Sequence, residues 1–246
     1  MNAILHFFAA SPWYDLALAA FAAVAMPLMS VNAGRQLDKG RPDSLAPRYL
    51  FTIARGMLTA LAVLAVWLFA HRDFAQLGLG IPIPLRGQIG FVVVGFALLF
   101  ALYQYLQAGR MKPEGIEKAR KAIGRVKIMP RSDAEFVLFF AVAVNAGIWE
   151  ELLYRGFLIW YFAPLAGVWG AVAISTALFG LGHAYQGTRG ILTTGFVGLL
   201  LGIGFALTWS LWWLMALHAL ADIMGGILTF RLRRHLAHSP TADVVG

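Results

Sequence analysis

The sequence predicts an all-α fold: a polytopic transmembrane helical bundle of about seven spans, within a range of six to eight. Three observations predict it. Of the 246 residues, 60% are hydrophobic and only 13% are charged, whereas an ordinary soluble domain is about 25% charged. Mean hydropathy is +0.71. Apolar runs near the roughly 20 residues that cross a bilayer recur from end to end, leaving no stretch for a separate soluble domain. One domain is expected, with 1–133 supplying N-terminal helices and a basic loop, 134–230 a helical core, and 231–246 a short, loose tail.

The first span is expected from Trp13 to Val31, opened by Pro12 and the interfacial pair Trp13 and Tyr14. A polar loop with Arg35, Lys39, Arg41 and Arg48 leads to a second span, Tyr49 to Ala70. His71, Arg72, Asp73 and a Pro82/Pro84 turn separate it from a third, Gln88 to Tyr105. The loop from Arg110 to Arg131 carries eight basic residues against Glu114 and Glu117; it is expected to hold a surface helix and to meet anionic lipid. Span four, Asp133 to Tyr161, exceeds a bilayer crossing, so it is tilted or broken. A turn at Pro164 and Gly167 precedes span five, Trp169 to His183. Span six, Ile191 to Thr208, carries Gly195, Gly198, Gly202 and Gly204, read as close-packing positions. Span seven, Leu211 to Phe230, begins beside Trp209, Trp212 and Trp213, read as interfacial anchors, and ends in Arg231, Arg233 and Arg234.

The charge of +8 does not signal nucleic acid, because the charges lie mostly between apolar runs. With the first loop placed in the cytoplasm, seventeen of the 20 Lys and Arg fall inside, Arg72 and Arg86 outside, and Arg155 in the membrane. The positive-inside rule then gives an N-terminus out and a C-terminus in, in a cell or cytoplasmic membrane for a prokaryote. The absence of cysteine excludes disulfides, thiolate metal sites and a cysteine nucleophile. No basic residue precedes Arg35, so a cleaved signal peptide is not expected. No internal repeat is visible, unlike many transporters.

The run from Asn145 to Gly156 places Glu150, Glu151 and Arg155 at membrane depth, where each charge costs a few kcal/mol and marks a functional site by default. Glu151 and Arg155, four apart, can pair across one helical turn; Glu150, rotated by about 100°, is left to point elsewhere. His183 lies near the end of span five, and His218 and Asp222 share one face of span seven. One intramembrane polar site is the economical inference. A carboxylate with two imidazoles can hydrolyse, the carboxylate as general base and the imidazoles as oxyanion donors. His183, His218 and either Glu150 or Asp222 could instead hold zinc with one position left for water. The spacing does not choose, and no HExxH or GxSxG template is present.

Three motifs in order, Glu150-Glu151-x-x-x-Arg155, Phe179-x-x-x-His183 and His218-x-x-x-Asp222, resemble those of the CPBP family, the CAAX-protease and bacteriocin-processing intramembrane peptidases also called Abi. The resemblance covers about residues 134 to 230. It implies that Glu150 and His183 activate water, that His218 and Asp222 form the oxyanion site or complete the catalytic group, and that Glu151, Arg155 and Phe179 support them. The third motif usually ends in Asn, and Asp222 departs from it: an ionised Asp cannot donate to an oxyanion, so it would be protonated, orient His218 or bind a metal. The preferred reading needs no cofactor and uses glutamate-activated water; zinc at Glu150, His183, His218 and Asp222 is the alternative. The expected substrate is a protein or peptide, prenylated for CAAX-processing members, met at the lipid bilayer. The competing readings are a proton-coupled transporter or channel using the same ionisable groups, and a non-catalytic membrane partner or immunity protein.

Overall fold

The computed structural model describes residues 2–40, 42–81, 84–108, 115 and 128–237. Most of the loop expected to carry a surface helix, and the tail from Ser239, lie outside the described residues. Among those described, every regular element is helical and there is no strand. A short α1, Asn2–Ala10, precedes α2, Trp13–Asp38, which is interrupted by a π turn at Phe21–Ala25. Then follow α3, Ala46–Phe69, and α4, Pro84–Ala108. The α5 helix, Asp133–Glu150, continues through a π segment, Glu151–Leu158, into α6, Ile159–Gly182. After a 3-10 turn at Ala184–Gln186 come α7, Gly187–Thr208, and α8, Trp212–Ala237.

Among the described residues six helical stretches are long and apolar enough to cross a membrane, making this an integral multi-pass membrane protein. The fourth stretch, Asp133–Gly182, is 50 residues long. As a straight helix it would extend about 75 Å, far beyond a hydrocarbon core of about 30 Å. It does not run straight. Gly167 adopts φ 69° and ψ 168° inside it, a conformation that glycine reaches without a Cβ penalty. Beyond that break the chain returns on itself: the Ser175 hydroxyl donates to the Tyr154 carbonyl at 2.6 Å, although those residues would stand about 31 Å apart on a straight helix. The break is the turn expected at Pro164 and Gly167 between spans four and five, whose two arms together give the seventh crossing, while span four itself, Asp133 to Tyr161, runs on through its π segment without a break.

Close contacts fix the directions. Gly180 faces Ile191 and Gly195 while Gly202 faces Val172, so α7 runs antiparallel to the returning arm of α6. Gly147 meets Met215 and Ala219 while Phe136 stacks on Phe230, so α8 runs antiparallel to α5. Gly56 meets Asn145 and Trp149 while Trp67 packs on Phe157, so α3 runs parallel to α5. Small residues let these backbones approach, as membrane interfaces without a water-driven hydrophobic effect require. Trp67, Trp149, Phe157 and Phe205 fill the core, whereas Phe91, Phe96 and Phe100 of α4 face outward, as lipid-facing residues do.

Two polar ties hold the ends. The Arg72 guanidinium donates to both oxygens of buried Asp15 at 2.8 and 2.6 Å, with its charge 4.4 Å from the centre of the Trp160 ring. At the other end the Glu135 carboxylate accepts from the Leu45 and Arg131 backbone amides at 2.8 and 2.9 Å, joining α3 to the start of α5. Ser132 caps α5, accepting from the Glu135 amide. The expected anchoring by tryptophans needs correction for Trp213. It is buried against Gly90 and Gly204 and donates to Thr208, because those glycines open a slot for its indole. Trp209 and Trp212 donate to the Ala75 and Gly80 carbonyls, pinning the connection between α3 and α4.

Candidate active site

The π segment begins at Glu151, immediately after Glu150, and all eight of its residues are buried. Such segments inside α-helices recur at functional sites. The expected pairing is present: Arg155 donates to Glu151 Oε1 at 2.8 Å and its other terminal nitrogen donates to the Gly198 carbonyl at 3.1 Å. Glu151 does more than lock a helix, because the same Oε1 lies 2.7 Å from His218 Nδ1. One carboxylate oxygen thus joins α5, α7 through Arg155, and α8. Phe179 lies beneath the Arg155 charge at 4.2 Å, and its ring stands 4.7 Å from that of His183 and 6.1 Å from that of His218.

Glu150 is 9% exposed, and it meets the His218 ring at Nε2 where Glu151 meets it at Nδ1. Its Oε2 is buried and accepts no hydrogen bond. Two imidazole nitrogens face it, His183 Nε2 at 3.9 Å and His218 Nε2 at 3.8 Å. Both separations exceed a direct hydrogen bond, so the carboxylate oxygen and the two nitrogens face one another unpaired. His183 Nδ1 lies 2.9 Å from the Phe179 carbonyl, which can only accept; Nδ1 therefore carries a proton, and in the neutral ring Nε2 is an acceptor towards Glu150. The turn after His183 is tied to α2, where the Tyr185 amide donates to Ser30 and Gly34 lets the backbone approach. The break at Gly167 makes this assembly possible by returning His183 to the level of Glu150.

Asp222 stands at the rim, its side chain 45% exposed and its Oδ2 3.8 Å from His218 Nε2. It does not hydrogen-bond His218, so the two meet at one place without pairing. Glu150, His183, His218 and Asp222 come together from three helical elements. As to zinc, no group of three or more His, Asp or Glu side chains among the described residues is arranged to hold a metal ion. Both Nδ1 atoms are engaged by protein oxygens, and Asp222 reaches only the outer edge.

Sequence reasoning missed Arg55, counted there among the cytoplasmic charges of loop and span end. It lies 5.4 Å over the Trp149 ring, beside the site. Its place within the second apolar run was the signal that could have marked it. The Gly198 carbonyl was missed too, since a backbone acceptor leaves no mark on a sequence.

Residues 132–224 match the model of a known family, described as Rce1-like: type II CAAX prenyl endopeptidase Rce1-like. The match is consistent with the CPBP family. It spans all three motifs and the four clustered ionisable residues, and it supports a CAAX-protease-like intramembrane peptidase acting on a protein or peptide. No curated protein and no solved structure matches the chain.

Proposed function

We propose that this protein is an intramembrane endopeptidase in which Glu150 activates water for attack on a peptide bond near the membrane, with CAAX-type prenylated proteins as substrates. The observation that carries the proposal is the unpartnered Glu150 Oε2, held at 3.8 and 3.9 Å from two imidazole nitrogens. A buried carboxylate oxygen without a donor is costly, and a water admitted beside Oε2 and the two imidazoles would relieve the cost while being the nucleophile. Glu150 accepts one water proton and His183 Nε2 accepts a hydrogen bond from the other, so the water oxygen is aimed and made nucleophilic.

The oxygen attacks the carbonyl carbon and the carbonyl becomes an oxyanion. His218, with Nδ1–H fixed on Glu151, donates from Nε2 in its imidazolium form. Asp222, too far for a hydrogen bond, is a positioning residue whose charge favours that form. Collapse breaks the C–N bond, and the departing amine takes the proton held by Glu150. The products are a new carboxyl terminus and a free amine, with Glu150 restored.

In the proposed topology the basic loops and the C-terminus lie in the cytoplasm and the N-terminus outside. The turn bearing His183 packs on Ser30 and Gly34, near the basic end of α2, which favours substrate entry from the cytoplasmic side. The test is mass-spectrometric detection of cleavage of prenylated CAAX peptides by purified wild type, Glu150→Gln and His183→Ala. Cleavage at the prenylated cysteine by wild type alone is expected. Equal products from all three overturn the site.

A further inference from the structure

We infer that the cavity between α4 and α8 holds the isoprenyl chain of the substrate, an inference that rests on the peptidase reading and says where the substrate of that reading is gripped. The two helices are tied at both ends. Near the start of α8 the Trp213 indole seats against Gly90 of α4. Near its other end Arg231 donates to the Tyr105 carbonyl at 2.8 Å, and its charge stands 4.0 Å from the centre of the Tyr105 ring. Between these ties lies a cavity of about 260 Å³, bounded by Ala97, Phe100 and Ala101 of α4 and by residues between Leu217 and Leu228 of α8.

Small residues on membrane helices ordinarily let backbones close on one another. Here Ala97, Ala101, Ala221 and Gly225 line a space instead, and a Cβ on Gly225 would meet nothing within 4 Å. Gln104 is the single polar residue in the lining, so the cavity suits an apolar occupant. From Leu217 to Leu228 the helix rises about 16 Å, which favours an extended chain over a compact ring system. Met224 in the lining is unbranched and polarizable, able to fit an irregular hydrocarbon.

The cavity adjoins the candidate active site. Ala221 and Gly225 stand three residues beyond His218 and Asp222, so each neighbours a site residue on the surface of α8. An alanine and a glycine thus make a low wall between site and cavity, and Asp222, its side chain 45% exposed, stands beside that wall. In CAAX-type cleavage the isoprenyl chain is carried by the cysteine whose carbonyl carbon takes the water. The chain must therefore start within a few bonds of Glu150 and His218. A groove that begins at Leu217, next to His218, and follows α8 meets that requirement, whereas a bilayer acyl chain has no need to abut the site.

The test is photolabelling of the purified full chain, carrying Glu150→Gln so that substrate is retained, with a farnesylated CAAX peptide whose isoprenyl chain bears a diazirine. Mass spectrometry is expected to place the label within residues 97–104 and 217–228, and excess unmodified farnesyl peptide should reduce it at least tenfold. Label elsewhere overturns the inference. So does a groove label that a diazirine phosphatidylcholine reproduces and the farnesyl peptide does not displace, which would make bilayer lipid the occupant. With Glu150 present, Ala97→Trp fills the cavity from the helix that carries no site residue, and Gly225→Leu fills it from α8. Each should raise KM for the farnesylated peptide at least tenfold with kcat unchanged; an unchanged KM in both, at unaltered unfolding midpoints, overturns the groove. Wild-type cleavage with label outside the groove sinks the groove alone, whereas groove labelling without wild-type cleavage supports the groove and counts against the peptidase.

Discussion

Glu151 can be removed in two ways that the structure predicts will differ sharply. In Glu151→Leu, Arg155 remains, 1% exposed, with only the Gly198 carbonyl at 3.1 Å as partner. Breaking a buried ion pair from one side costs about 3–5 kcal/mol, because the remaining charge is uncompensated. His218 Nδ1, now at 2.7 Å from Glu151, also loses its acceptor, adding about 1–3 kcal/mol for an unsatisfied buried donor. In the double variant Glu151→Leu with Arg155→Met the stranded cation is gone, and apolar replacement of both partners is often close to neutral. The double variant should then be more stable than Glu151→Leu alone by about 2 kcal/mol or more, a strongly non-additive pair. Unfolding midpoints of the four proteins of the cycle, titrated with denaturing detergent in micelles, provide the measurement. A double variant that falls at the sum of the singles refutes the reasoning, because Glu151 and Arg155 would then be acting independently. Neither protein carrying Glu151→Leu should cleave substrate, since His218 loses its orientation in both.

The other expectations use the same preparations. Glu150→Gln should lower cleavage by at least about 100-fold, the lower end for a general base, with an unfolding midpoint unchanged or raised, since Oε2 accepts no hydrogen bond; a large loss of stability would show that Glu150 is a packing group. Gly147→Val should cost about 1–3 kcal/mol by overpacking and reduce turnover, because a Cβ there would lie 2.8 Å from the Met215 carbonyl and push α8, with His218, off α5; unchanged turnover would contradict the placement of His218. Cleavage should survive exhaustive dialysis against a chelator, and loss of activity restored by zinc would refute the glutamate mechanism.

The composition and the apolar runs made the helical membrane fold legible, and the rotation between adjacent helix positions was enough to separate Glu150 from Glu151. The break at Gly167 was half legible. Pro164 and Gly167 marked a turn, but only the Ser175 to Tyr154 bond shows that the arms lie against each other. The π segment was not legible, because its register is chosen by what packs around Glu151–Leu158 and not by local propensity. Trp213 was misread because a tryptophan near a span end signals an interface only until facing glycines, here Gly90 and Gly204, offer it a slot. Arg55 was overlooked because the positive-inside count treats every arginine near a cytoplasmic loop as topology. Its face on the helix, which puts it over Trp149, requires the partner helix to be known.

The two adjacent glutamates sit in different surroundings, to which the proposed mechanism gives opposite tasks. Glu151 receives a guanidinium and an imidazole N–H on one oxygen, so its charge is compensated and its geometry fixed. Glu150, one residue earlier, receives no donor on Oε2 and faces only the nitrogens of His183 and His218. Environments that differ this much across one peptide bond are how acid and base roles are divided between like groups. The compensated carboxylate holds Arg155 and His218, and in the proposed mechanism the uncompensated one keeps its lone pairs for a proton. The helix direction makes the division unavoidable: with α3 and α8 packed on either side of α5, consecutive residues must meet different neighbours. Exchanging the roles would require moving Arg155 to pair with position 150, and a charge on position 151 would then be buried without a partner.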